Sequence, residues 1–197
     1  MANKVRYGLK NVHVASVTIS GTPETVTFGT PVAWPGAVSM SMEKTGDISE
    51  FYADDIVFWT GGGTSGFDCE LESALVPEWF MKDYLGMTED DNGNIFETAS
   101  DNGAYFAFLF EFTGDVKGIR HCLYYCKASA PTEEGSTKGE SAEPQTTTVS
   151  FKATPCPVPI TVDGVQKNVI KNRSGESSTN YANWFSTVAL PTVSASS

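Results

Sequence analysis

Along most of the chain, apolar and polar residues alternate one by one, which is the period of a strand and not of a helix. Residues 4 to 20 set Val12, Val14 and Ser16 against His13, Ala15 and Val17 and predict a first strand. Residues 21 to 36 are broken by Pro23, Pro31 and Pro35 and read as turns around a short edge strand. Residues 36 to 44, GAVSMSMEK, set Val38, Met40 and Met42 against Ser39, Ser41 and Glu43, as a half-buried strand does. In residues 67 to 75, Phe67, Cys69 and Leu71 point one way and Asp68, Glu70 and Glu72 the other. The clearest hairpin spans 104 to 130. Phe106, Phe108, Phe110 and Phe112 share one face, Tyr105, Ala107, Leu109 and Glu111 the other, and Gly114-Asp115 turns the chain into VKGIRHCLYYCKA. Both faces of that strand are mostly apolar, so both need cover.

One helix interrupts the strands. In LVPEWFMKDYLGM, Pro77 suits a first turn, Glu78 the positive end of the helix and Gly86 its stop. Trp79, Phe80, Asp83 and Tyr84 follow at helical spacing, so the aromatic side is expected to pack on a sheet. Asn92-Gly93 predicts a turn, residues 130 to 145 a polar flexible loop, TTTVSFKA a strand and residues 165 to 171 one more. A short terminal helix is expected near NYANWFSTV, started by Ser178 or Thr179. The chain reads as a single domain, 1–197, in which 157–197 is an extension packed on the body.

The stretch EFYADDIVFWTGGGTSGFD, residues 50 to 68, breaks the pattern. It sets Asp54 and Asp55 among Phe51, Tyr52, Ile56, Phe58 and Trp59 and then runs into three glycines. Residues 61 to 66 match G-x-G-x-x-G, but FDCELESAL follows with a period of two and acids, where a dinucleotide site needs a helix N-terminus. Adjacent aspartates on a strand point to opposite faces and cannot clamp one ion. TEDDNGNIFE fails as a calcium loop, because Gly93 at the sixth position places Thr88 and Ala99 where carboxylates are needed. No G-x-S-x-G elbow is present, and no carboxylate pair stands out for glycoside chemistry. No catalytic residue, cofactor or metal is therefore expected. A long β-loop, 45 to 66, whose apolar groups are buried at about 25 cal/mol per Å² remains. A neighbouring subunit or the rest of its own chain could supply the cover.

Composition narrows the function classes further. Apolar residues at 40% and aromatics at 12%, with 18 glycines and 10 prolines, favour a turn-rich β fold. No apolar run is long enough to cross a bilayer, and the N-terminus lacks the apolar core of a signal peptide, so a cytoplasmic site of folding is expected. Cys69, Cys122, Cys126 and Cys156 read as reduced, buried thiols; on one strand, Cys122 and Cys126 share a face too far apart for a disulfide. The net charge of −11 is regional, since residues 43 to 101 hold 15 of the 24 acidic residues and only Lys44 and Lys82 of the 13 basic ones. So negative a region repels a phosphate backbone, which argues against gripping DNA.

Several stretches, in order and spanning nearly the whole chain, resemble the major tail proteins of long-tailed phages with non-contractile tails, in the branch infecting Gram-positive bacteria. They are NKVRYGLKNVH, TPVAWPGAVSMSM, FYADDIVFW, ALVPEWFMKDYLG, FEFTGDVKGIRHCLYYCKASAP and TNYANWF. The triple glycine at 61 to 63 and TPCPVP depart from the pattern in loops. The resemblance implies two packed antiparallel sheets with one flanking α-helix, in a β-sandwich or barrel of the tail-tube type. It implies hexameric rings stacked into a tube that encloses the tape measure protein and meets distal tail and tail terminator proteins. DNA is expected only in transit, with no membrane partner, in a virion tail assembled in the host cytoplasm. On this reading Phe51, Tyr52, Asp54, Asp55, Ile56, Phe58 and Trp59 make inter-subunit contacts, Asp68, Glu70 and Glu72 are candidates for the lumen wall, and Trp79, Phe80 and Tyr84 pack the helix. The competing class is a carbohydrate- or receptor-binding β-sandwich on a virion surface, with Trp34 and Trp59 stacking on sugars.

Overall fold

Strand β1 (Leu9–Ser20) is long and apolar on both sides, and the rest of the fold is built around it. Val12 and Val14 enter one buried cluster and Ala15 a second on the opposite face. The computed structural model describes residues 8–46, 48–53, 56–63, 65–114, 117–132 and 145–193, with backbone alone for 48–53 and 57–62. Strands β2 (Thr25–Phe28) and β3 (Val32–Ala33) both pair with β1. Then come β4 (Ala37–Thr45), β5 (Ile48–Ala53), β6 (Ile56–Gly62) and β7 (Gly66–Ser73). Helix α1 (Glu78–Phe80) runs into a π-helical turn (Met81–Leu85). The small hairpin β8 (Thr88–Glu89) and β9 (Ile95–Phe96) precedes β10 (Phe106–Phe112), β11 (Arg120–Ala128) and β12 (Thr147–Ala153). The chain closes with β13 (Ile160–Val162), β14 (Val165–Lys167) and β15 (Lys171–Ser174).

The main sheet runs β2-β1-β10-β11-β12-β7-β4, with β3 added on β1 and β15 on β11, and its pairings are antiparallel. Val12 and Val14 of β1 nevertheless share a cluster with Cys69 and Leu71 of β7 and with Met40 and Met42 of β4, strands far away in that order. The sheet must therefore curl over on itself, so the two expected layers are parts of one hydrogen-bonded surface. Mainly β structure with one short flanking helix is what the sequence predicts. Phe106, Phe108 and Phe110 fill the space between the layers, joined by Leu123, Val149 and Phe151. Ala107 and Leu109, on the other face of β10, pack with Cys122, Tyr124, Cys156 and Trp184. Both faces of β10 are covered, as its sequence demands.

Register irregularities account for several departures from simple alternation. A shift between Ala37 and Ser39 leaves Val38 49% exposed, while Met40 and Met42 still pack inward. A shift between Phe106 and Phe108 opposes an extra residue of β11 to β10. Cys122 therefore lies in one cluster and Cys126 in the other, and the expectation of a shared face fails. All four cysteines are free and buried, and burial pushes the Cys69 thiol up to about 12, so it is a poor nucleophile. The helix stops where predicted because Gly86, at φ 86°, lets its own N–H and that of Met87 reach the Met81 carbonyl. Residues 165 to 171 are not one strand: β14 pairs with β13, which the sequence did not show, and β15 joins the main sheet. Near NYANWFSTV the backbone makes successive turns and no helix, because its bonds run mostly back three residues, as from Tyr181 to Ser178 and from Trp184 to Tyr181.

Candidate assembly surfaces

Strands β4 and β7 pair down to Thr45 and Gly66, and beyond that point the chain continues as a separate two-stranded arm, β5 with β6. The arm's register runs from Ile48 opposite Gly62 to Ala53 opposite Ile56, and its strands extend about 20 Å. Phe51 stands opposite Trp59, and a shift between Phe51 and Tyr52 sets Tyr52 opposite Val57, so Phe58 is the extra residue. Among the described residues, β5 and β6 pack on each other and hardly on any other element. Ile56 is 62% exposed. The side chains of Phe51, Tyr52, Phe58 and Trp59, and both Asp54 and Asp55, lie outside the described residues. An isolated two-stranded ribbon is marginal in water, so this one needs a surface to lie on.

The second surface is the outer face of β12, β7 and β4. Phe67, Cys69 and Leu71 turn inward, which puts Asp68, Glu70 and Glu72 on the outer face. Register sets each of these between two neighbours: Asp68 between Lys152 and Glu43, Glu70 between Ser150 and Ser41, Glu72 between Thr148 and Ser39. The three charges are not equivalent. Lys152 Nζ lies 2.7 Å from Asp68 Oδ1, an exposed pair of small energetic value. Ser39 and Thr146 hydroxyls both donate to Glu72 at 2.7 Å and hold its carboxyl below the usual range. Glu70 makes no hydrogen bond or ion pair among the described residues. The result is a wet face of hydroxyls and carboxylates with one lysine, and not the bare row of three charges that alternation alone suggests.

The helix residues close one end of the core. Phe80 is fully buried, Tyr84 6% exposed and Trp79 half-buried. Phe80 meets Phe106 at 5.4 Å between ring centroids, and Tyr84 meets it at 5.5 Å. Trp34 sits 4.6 Å from the Phe80 ring, and its Nε1 donates to Ser73 Oγ at 2.9 Å. At 3% exposure Trp34 belongs to the core, so it is not a sugar platform.

A third cluster escaped the sequence reading. Glu111 is the single acid of an otherwise apolar strand, and it is 5% exposed. Its carboxylate accepts from Asn11 Nδ2 at 2.6 Å and Arg120 Nε at 3.1 Å and faces Lys10 Nζ at 3.1 Å, so the buried charge is compensated. Asn11 reaches it from the left-handed region, at φ 53°, which asparagine tolerates better than most residues. Arg120 also stacks on the Tyr181 ring at 3.9 Å, while the Tyr181 hydroxyl donates to the Gly118 carbonyl at 2.7 Å. The C-terminal turns are thereby fastened to the second face of the sheet. A lone acid opposite an arginine in register was the available signal, but it required the pairing of β10 with β11 to be read.

Among the described residues there is no cluster of ligating side chains that could hold a metal ion, and no helix is long and apolar enough to cross a membrane. A family model described as phage tail tube protein matches residues 2–193, nearly the whole chain. A search of curated proteins finds no match.

Proposed function

The chain belongs to the phage tail tube protein family, whose role is structural, in the virion tail, and from that premise we propose that its copies close into hexameric rings stacked as a tube. The tube encloses the tape measure protein during assembly, meets distal tail and terminator proteins at its ends, and conducts DNA afterwards. It is built in the host cytoplasm and catalyses no reaction. The observation that carries this reading, beside the family, is the β5–β6 arm: a ribbon with Phe51, Tyr52, Phe58 and Trp59 in its sequence whose strands, among the described residues, pack on each other and hardly on any other element. A neighbouring subunit supplies the missing surface, with the aromatic residues, Ile56, Asp54 and Asp55 at the contact.

The outer face of β12, β7 and β4 lines the lumen on this reading. Its carboxylates, Glu43 and Asp68 with Glu70 and Glu72, outnumber the single Lys152, and repetition around a ring makes a wall that offers DNA few cations to grip. Electron microscopy of the purified protein tests the assembly: rings or tubes are expected, and dispersed monomers at high concentration would count against it. Changing Asp68, Glu70 and Glu72 to lysine should leave tubes intact but retard DNA passage. Normal ejection kinetics in that variant would refute the lumen assignment.

A further inference from the structure

One end of the sheet is basic although the protein as a whole is strongly acidic. Register gathers Lys10 at the start of β1, Arg120 at the start of β11 and Arg173 near the end of β15, beside Lys117 in the β10–β11 connection. The Thr113 N–H bonds the Gly8 carbonyl at the same end. The one buried acid here, Glu111, is already matched by Lys10, Asn11 and Arg120. Between the β10–β11 connection and the turn after β15 lies an open cleft of about 530 Å³, lined by Lys117, Ile119, Arg173, Gly175, Glu176 and Ser177. Lys117 and Arg173 are both exposed, Ile119 is half-buried, and a side chain added at Gly175 would meet open space. Among the described residues that line it, Glu176 is the only carboxylate.

The arm is its electrostatic complement. Residues 45 to 66 carry Asp47, Glu50, Asp54 and Asp55 and no lysine or arginine. Among the described residues, the protomer's own arm packs hardly on any other element, and no arm residue lines the cleft. We infer that the cleft between Lys117 and Arg173 receives the acidic β5–β6 arm of a second copy, an inference that rests on the arm being an assembly element. The two cations flank an apolar wall at Ile119, which suits a ribbon that mixes carboxylates with aromatic residues. A contact joining different patches of the two copies is heterologous, so it propagates from copy to copy and need not end in a closed pair. Charge pairs of this exposed kind act mainly through encounter rate and register.

Charge exchange between the two sides tests it. The double variant Lys117→Glu, Arg173→Glu changes exposed side chains, and circular dichroism and thermal unfolding should match the parent. Its tube growth at low salt should slow on the order of tenfold. Combining it with Asp54→Lys, Asp55→Lys in the same chain should restore growth, since the reversed charges again face each other. The milder pair Lys117→Gln, Arg173→Gln, which removes charge without reversing it, should slow growth less. Parental growth of the Glu double variant would overturn the proposal and leave the arm's role standing, as would failure of the arm reversal to restore growth. Tubes formed by a chain lacking the arm altogether would instead sink the reading on which it rests.

Discussion

The protein contains two hairpins rich in aromatic residues, and they meet opposite fates. In β10–β11, Phe106, Phe108 and Phe110 are enclosed by the curled sheet while Ala107 and Leu109 are covered by Trp184 and its neighbours. In β5–β6, a comparable density of aromatic residues lies on strands that, among the described residues, pack on each other and hardly on any other element. Strand-forming residues are alike in both; the difference is whether the same chain supplies partners for the faces. A hairpin with both faces covered contributes to the stability of the protomer. One that projects can contribute little to it and is available for association.

The sharpest way to break this contrast is to replace residues 47 to 64 with a short Gly-Ser linker. Assembly should be lost altogether, while the thermal midpoint of the protomer stays close to the parent's. Normal tubes would show that the ribbon is not an assembly element, and an unfolded product would show that it is part of the core after all. The converse change is Phe108→Ala. Phe108 is 1% exposed and packs 4.9 Å from Phe151, so its truncation should cost about 3–5 kcal/mol of protomer stability, read by denaturant titration. Loss of tubes without that loss of stability would contradict the assignment of β10 to the core.

The smallest expected effect concerns the exposed β8–β9 hairpin. Asp90 accepts hydrogen bonds from the side chain and backbone N–H of Asn94 and from the Asn92 N–H, and these hold its carboxyl down at about 2. Because the folded-state value is depressed, the charged form favours the fold. The contribution is complete above the ordinary carboxylate value and disappears as pH falls through about 2. Asp90→Ala should therefore speed amide exchange in the hairpin at neutral pH, and its difference from the parent should fade in acid. A difference independent of pH would mean that the carboxylate's charge is not what holds the turn.

Much of this architecture was legible along the chain because strands alternate at a fixed period. The inward set Phe67, Cys69 and Leu71, the doubly apolar β10 and the stop at Gly86 follow from local chemistry alone. So did the odd character of residues 50 to 68, since apolar residues beside glycines fit no catalytic pattern. The errors fell where one residue more or less in a pairing partner changes the outcome. The bulges that expose Val38 and send Cys126 to the opposite face from Cys122 are properties of two strands together, and neither strand alone encodes them visibly. In the C-terminal region the helix signals at Ser178 and Thr179 lost to tertiary fastening, as Arg120 and Gly118 capture Tyr181.

The charged groups show the same division. The sequence by itself determined which face of β7 is acidic, because alternation and inward apolar residues leave its carboxylates no other side. It also determined that the segment from 43 to 101 is strongly negative and that the arm carries no cation. Only the tertiary structure decided that Lys152, 84 residues away, stands beside Asp68, that Glu111 is buried but matched, and that Lys117 and Arg173 flank one cleft. Periodicity is a local property, fixed by the geometry of a few consecutive residues. Charge compensation depends on through-space distance, and that is set by the order of strands in the curled sheet.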